Sequence, residues 1–416
     1  MEIFLSIFLS IAVVALILEL LLAAVVSLLR PRFQWLIKEQ DVAPDIDPTI
    51  VEKHVGHGFD PELGWVRKPG TTGIEQTESG PCTFEIDEHG CRVNPGFSDP
   101  ASAVVAFGDS FAFCRLSAND ETWPYFLSNE IGEDVRNYGV GNYGLDQALL
   151  RLERELPNIQ AGLVLMAVVP ETMARIHSYW KHYYEYGNVL AFKPRFVEKE
   201  GVLELAPCAV QTAKDYQSYR EKLGLIQQFD YFYARKFRRD ILRSSYLLCF
   251  MRRAQRHIPI LYHLVAGVLT RQWERGYRRA FAVVLRCNGK TATRLYADEN
   301  AKSLFRAIAA RFHDKCKRQG LQGALVILPQ PTDLKAQSSD CVARDQFFAE
   351  LGELLPVCDL IDVVGCEHDW NGLYVSDHLG PHFNAKGNRL VAEKILAFLR
   401  ERRLGPQTVR EGSGHA

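Results

Sequence analysis

Neither sign of charge is in surplus: 49 Lys and Arg stand against 50 Asp and Glu in 416 residues. Such a chain has no global electrostatic reason to bind nucleic acid. Its ten cysteines contain no CxxC pair. Cys249, Cys287, Cys316 and Cys358 fall in apolar or helical stretches, which suits buried thiols better than a disulfide framework. Cys82 and Cys91 flank an expected hairpin and would pair only if the domain were extracytoplasmic. No GxxxxGK[ST] loop occurs, and "GVGNYG" misses the GxGxxG spacing, so no nucleotide cofactor is called for. Cys358, Cys366, His368, His378 and His382 match no zinc spacing. Internal repeats and low-complexity segments are absent as well.

What is present begins with one long apolar run. Ile3–Leu29 carries Glu19 as its single charge and, at about 1.5 Å per residue, is long enough for a ~30 Å hydrocarbon core. It lacks the basic start, short apolar core and small-residue cleavage site of a signal peptide, so it reads as a permanent single-pass anchor. Glu19 is costly at that depth, and a partner helix or a protonated carboxyl would each account for it. Arg30, Arg32 and Lys38 follow the span, while Met1 and Glu2 roughly cancel. The positive-inside rule therefore places the large domain on the cytoplasmic side.

The remainder, 47% hydrophobic and 24% charged over the whole chain, is globular and longer than one small domain. After the anchor (1–30) comes a linker and short β-rich lead-in (31–102). Strands near 103–107, 135–138 and 162–169 alternate with helices, and Leu145, Ala148, Leu149, Leu152 and Leu156 share one helix face. This order predicts an α/β fold, a three-layer doubly wound parallel sheet, whose first half covers 103–205. Residues 206–297 interrupt it with a basic, aromatic helical insertion. Within it, 231–290 holds 14 Lys or Arg against Asp240 and Glu274 alone. The stretch 215–290 has three readings: a lid resting on the membrane surface, a binder of anionic polymer or lipid, or an added helical layer with a solvated basic face. The alternation resumes over 298–404, with a strand at 323–329, another at 357–363 and a last helix from about 385. Residues 405–416 read as a disordered tail.

Three separated stretches carry chemistry. "AFGDSFAF" ends a strand at Gly108-Asp109-Ser110, where open α/β sheets place ligands and where a serine at a helix start has its hydroxyl exposed. "RNYGVGNYGLDQ" supplies a glycine-rich loop whose amides suit a developing oxyanion. "SDHLGPHFNAKGNRLVAE" brings Asp377, His378 and His382 ahead of an amphipathic helix. There His382 is placed to act as base for Ser110, with Asp377 orienting the imidazole and His378 as its competitor.

In order and approximate spacing, this trio resembles the SGNH/GDSL hydrolase superfamily, and the lead-in resembles its membrane-anchored members. The resemblance covers about 58–177 and 298–400. It implies Ser110 as nucleophile, His382 as base and Asp377 as acidic partner. The amides of Ser110, Gly141 and Asn142 would form the oxyanion hole, and no cofactor or metal would be involved. The sequence departs from that pattern at Asn142, where a glycine is usual. It also departs at Pro170-Glu171-Thr172, where an asparagine is expected and Glu171 or Thr172 would have to substitute. The function implied is a membrane-anchored serine ester hydrolase acting on acyl or acetyl groups of a glycan or lipid. An O-acyltransferase of the same fold and a catalytically inactive membrane-tethered scaffold are the alternatives.

Overall fold

The computed structural model describes residues 1–33, 37, 43–78, 80–97, 102–242, 245–335, 339–377, 380–407 and 409. It opens with α1 (Glu2–Leu29), 28 residues long and apolar enough to cross a membrane. Most of α1 exposes its side chains, but Val26 and Leu29 near its end are buried. Part of the expected linker is helical instead. Asp47 caps the helix Pro48–His57 through the Thr49 amide, and Pro48 occupies the first turn, where its missing N–H is harmless. The lead-in hairpin consists of β1 (Thr72–Thr77) and β2 (Gly80–Glu85). Cys82 and Cys91 do not flank it symmetrically and both are free thiols; Cys91 ends a tight turn organised by the Asp87 carboxylate.

The central sheet has five parallel strands: β3 (Val104–Gly108), β4 (Val135–Asn137), β5 (Leu163–Val168), β6 (Gln322–Ile327) and β7 (Val357–Asp359). Their order across the sheet is β4-β3-β5-β6-β7. The strand expected over 357–363 stops at Asp359, whose carboxylate accepts the Ile361 amide and turns the chain into a short helix.

Alternation along the strands loads both faces with apolar side chains. Val105, Phe107, Val164, Met166, Leu325 and Ile327 face α3 (Leu145–Glu155) and, further along the chain, the long helix Glu299–Arg318. Val104, Ala106, Leu163, Leu165, Ala324 and Val326 face α2 (Trp123–Ile131) and the C-terminal helix Ala385–Glu401. Three layers result, and the order reverses between β3 and β5. The crevice outside the carboxyl ends of those two strands is where such sheets bind ligands.

A one-turn helix, α4 (Thr172–Arg175), follows β5. The insertion then folds into short helices over 215–240 and three longer pieces, α5 (Tyr246–Arg252), α6 (Ala254–Leu269) and α7 (Trp273–Arg294). It is not a separate body. Tyr216, Tyr219, Phe232, Phe237 and Tyr296 share the core of the first sheet face, whereas α6 and α7 form a second core with the end of α1. The helices Glu299–Arg318 (α8) and Ala385–Glu401 (α9) complete the layers. Between them β8 (Tyr374–Ser376) and β9 (Pro381–Phe383) make a short antiparallel hairpin. Beyond α9, Leu404 and Val409 are buried against the second sheet face.

Two glycine substitutions test this packing in opposite directions. A Cβ on Gly108 (φ +152°) would lie 1.7 Å from the Ala167 carbonyl oxygen, whereas one on Gly289, inside α7, meets nothing within 4 Å. Gly108→Ala is expected to lower the thermal unfolding midpoint sharply or prevent folding. Gly289→Ala is expected to raise stability by about 0.5–1 kcal/mol. Unfolding of the detergent-solubilised chain, followed by tryptophan fluorescence, reads both.

Candidate active site

The turn after β3 is fixed by a buried carboxylate. Asp109 is fully inaccessible; its Oδ1 accepts the Phe111 amide (2.8 Å), and its Oδ2 accepts the Val169 amide (3.0 Å) and Arg175 Nη1 (3.1 Å). One side chain thus ties the Gly-Asp-Ser turn to the end of β5 and to α4. Burial raises the Asp109 carboxyl above its ordinary range, with Arg175 and the backbone amides opposing. Arg175 carries its charge despite burial because Glu171 and Asp109 hold it protonated. Sequence reasoning gave Asp109 and Arg175 no role. The signals were the Asp beside the serine and a Glu171–Arg175 pair at helical i,i+4 spacing.

His382 reaches the serine from the β8–β9 hairpin. Its Nε2 lies 2.9 Å from Ser110 Oγ, and both residues are buried. The imidazole packs against Phe111, ring centroids 4.8 Å apart. Ser117 Oγ donates to the Phe383 carbonyl (3.1 Å) and accepts from Asn388 Nδ2 (2.9 Å), which fastens the hairpin and α9 to the segment after Ser110. His378 lies outside the described residues.

Asp377 sits one residue past β8. Val375 pairs with His382, and alternation gives Asp377 the same face as Val375, so the acid lies on the side of the imidazole. Its hydrogen bonds go elsewhere, to Arg115 Nη2 and to the Gly380 amide (3.0 Å). His382 Nδ1 is buried and has no hydrogen-bond partner among the described residues. Among the described residues no hydrogen bond joins Asp377 to the imidazole, and Arg115 holds the carboxylate there. Arg115 is itself held by Glu75 of β1, Nε to Oε1 at 3.2 Å, a contribution of the lead-in that sequence spacing does not reveal. Burial first and Arg115 second push the His382 pKa down to about 3, with Asp377 and the Gly380 backbone pulling the other way. The imidazole is neutral at pH 7, the state in which Nε2 can take a proton.

The glycine-rich loop is layered on the serine turn. Asn137 bridges them, donating to the Ala112 carbonyl (2.8 Å) and accepting the Gly139 amide (2.9 Å). A Cβ on Gly139 would lie 2.4 Å from the Phe113 nitrogen, so only glycine allows this approach. Beyond it, the Gly141 carbonyl accepts from Trp65 Nε1 (2.9 Å), and Asn142 adopts φ +70°. The buried Lys181 donates to the Asn142 carbonyl (3.2 Å) and Oδ1 (2.5 Å) and pairs with Glu185 (3.1 Å). Burial lowers Lys181 to about 8, with Glu185 opposing. The amides of Ser110, Gly141 and Asn142 make no hydrogen bond among the described residues.

The third-block positions are committed elsewhere. The Pro170 carbonyl accepts from Tyr296 Oη (2.8 Å); the Thr172 amide donates to the Val169 carbonyl, and its Oγ1 accepts the Leu145 amide (2.8 Å) at the start of α3. The Glu171 carboxylate faces Arg175 (2.9 Å) and Tyr184 Oη (2.7 Å). The Glu171 carboxylate and the Thr172 amide thus serve structure, while Thr172 Oγ1 accepts the Leu145 amide and keeps its own proton to donate. Among the described residues no group of three His, Cys, Asp or Glu side chains is arranged to hold a metal ion.

A neutral buried imidazole makes stability pH-dependent in a definite sense. The unfolded chain takes up a proton at His382 as pH falls below about 6.5, and the folded site resists it down to about 3, so stability is lost through that window. His257, lowered by burial to about 4, adds in the same direction. Buried Asp333 and Asp359, raised by burial to about 7 and about 6, oppose the histidines, so from pH 7 to pH 4 the unfolding midpoint of His382→Gln should shift upward relative to that of the natural chain. Asp109→Asn should cost about 1–3 kcal/mol, because it removes one of the two carboxylates that hold the buried Arg175 and leaves Glu171 as its remaining ion-pair partner; chemical denaturation measures it.

No family model matches the chain, and no curated protein matches it. Among solved structures, one from Desulfitobacterium hafniense DCB-2, described as a lipolytic protein of the G-D-S-L family, is 12% identical. That match covers 71% of this chain and 98% of that one, with a TM-score of 0.32. A second solved structure is 13% identical and covers 73% of this chain and 97% of its own, with a TM-score of 0.33.

Proposed function

We propose that this protein is a serine-dependent acyl-transfer enzyme, an ester hydrolase of SGNH/GDSL type held at a membrane by α1. The observation that carries the reading is the Ser110 Oγ–His382 Nε2 contact of 2.9 Å at the carboxyl end of β3. As Ser110 Oγ bonds to the ester carbonyl carbon, its proton passes to His382 Nε2 and the carbonyl electrons move onto oxygen. Collapse expels the alcohol, which takes the proton from His382 and leaves an acyl-serine. Water, deprotonated by the same nitrogen, then releases the acid. The Ser110 amide and those of Gly141 and Asn142 are the proposed oxyanion donors. With the Glu171 carboxylate and the Thr172 amide committed elsewhere, the asparagine usual after this strand has no like-for-like replacement, and loss of one oxyanion donor is typically worth ~10²–10³ in rate. Asp377 acts in this scheme through its field on the imidazole. The substrate class proposed is an acyl or acetyl ester on a glycan or lipid. Arg30 and Arg32 after α1 support a cytoplasmic domain, which protease protection of a C-terminal tag tests.

One observation favours a second reading. Ser110 and His382 are both only 8% exposed and packed against Phe111, a setting that disfavours water as second acceptor and suits transfer to a sugar hydroxyl.

Fluorophosphonate labelling of the purified chain separates these outcomes. Ser110→Ala should abolish the label, His382→Ala should slow it by about 10²–10⁴, and Asp377→Asn should slow it less. With His382 as base, the labelling rate should hold from pH 8 to pH 5 instead of falling near 6.5. Absence of Ser110-dependent labelling and of aryl-ester turnover overturns the enzyme reading in favour of a tethered scaffold. Acyl transfer to a sugar that outpaces hydrolysis establishes the second reading.

A further inference from the structure

The carboxylate of Glu19, well inside the apolar span, is fully used. It accepts Ser245 Oγ (2.9 Å) and the amides of Tyr246 (2.6 Å) and Leu247 (2.8 Å), the first donors of α5. A helix start is thereby attached to α1 partway along a segment whose neighbouring Leu16, Ile17, Leu20 and Leu21 stay exposed. A second attachment lies at the end of α1, where the Arg32 guanidinium stacks on the Trp273 ring, 3.9 Å from its centroid. Glu19 and Arg32 are separated by about 20 Å at 1.5 Å per residue. Between the two contacts α5 packs against α1, and Ile260, Leu261 and Leu264 of α6 share one core with Val26 and Leu29 at its end.

The outer side of the pair is apolar. Ile258, Tyr262 and Leu269 recur at i, i+4 and i+11 on α6. Of these, Tyr262 is 67% and Leu269 78% exposed, while Leu248 and Met251 of α5 are 59% and 66% exposed. A water-facing helix carries charge on such a stripe. Exposed arginines lie at the end of α5, at Arg252, and beyond the pair at Arg271, Arg275, Arg278 and Arg279. Apolar stripe, Trp273 and arginines follow one another as hydrocarbon, interface and water do at a bilayer surface.

We infer that α5–α6 (Tyr246–Leu269) is a second membrane element. It would be sunk into the acyl chains of the leaflet on the domain's side and docked on α1 through Glu19. The inference rests on reading α1 as the membrane span and adds a fixed orientation, because two contacts on α1 and an embedded helix prevent the domain from swivelling about a single tether. It also accounts for Glu19: the acid satisfies the open end of α5, which would otherwise present unpaired amides to lipid.

The test uses the full chain in phosphatidylcholine nanodiscs doped with a diazirine-bearing phosphatidylcholine, photolysed and mapped by mass spectrometry. Adducts are expected on α1 and on 246–269, centred on Tyr262 and Leu269. In Leu248→Lys/Met251→Lys the 246–269 adducts should fall several-fold while those on α1 stay unchanged. Labelling of α1 without 246–269 overturns the inference and leaves the anchor standing; labelling of neither removes the anchor reading with it. Cross-links between two chains through an unlabelled 246–269 would assign that face to a second copy and equally overturn the proposal.

Discussion

The carboxylate of Asp109 is the constraint on which the rest of the site depends. Its acceptor positions are filled by the Phe111 and Val169 amides and by Arg175, so one buried charge fixes the serine turn, the end of the adjacent strand and the helix after it. Burying an ion is tolerable only when its partner is also buried and both are hydrogen-bonded. Arg175 meets that requirement by reaching Glu171 and the Tyr143 carbonyl as well. Ser110 inherits its position from this arrangement, because Gly108 on one side and the Phe111 amide on the other leave the turn little freedom.

From Arg175 the ionic arrangement extends behind the glycine-rich loop. Glu171 meets Tyr184, whose hydroxyl reaches the Asn288 carbonyl of α7 (3.2 Å), and Lys181 joins Glu185 to Asn142. Asn142 pays a small steric cost for its left-handed backbone, which its short polar side chain tolerates, and Lys181 clamps both of its oxygens. Rigidity that a glycine would lack is supplied here by a buried ammonium. The same contacts connect the serine turn, through α4 and Tyr184, to α7 and hence to the end of α1.

On the opposite side the lead-in hairpin sets the electrostatics of the imidazole. Glu75 holds Arg115, Arg115 holds Asp377, and His382 packs on Phe111 with the Gly380 backbone beside it. An acid bonded to a guanidinium screens the imidazole less than one bonded to Nδ1, so the low affinity of His382 for protons follows from Arg115 as well as from burial.

Much was legible in the sequence because it depends on local chemistry. Short continuous apolar runs located β3, β5 and β6 and a 3.6-residue apolar period located α3 and α9, to within a residue or two, and the long apolar run marked α1. Ser110, the glycine-rich loop and His382 stood out because a sharp turn, a close backbone approach and a proton acceptor each demand a particular residue type. Sequence could not tell that Val357–Asp359 ends early, that Val409 is packed, or that Asp377 turns to Arg115. Each of those outcomes is a competition between partners far apart in the chain. Glu19 is the clearest case: its position in an apolar run showed that it needed a partner, and only the folded chain, which brings Ser245, Tyr246 and Leu247 to it across more than two hundred residues, decided which one.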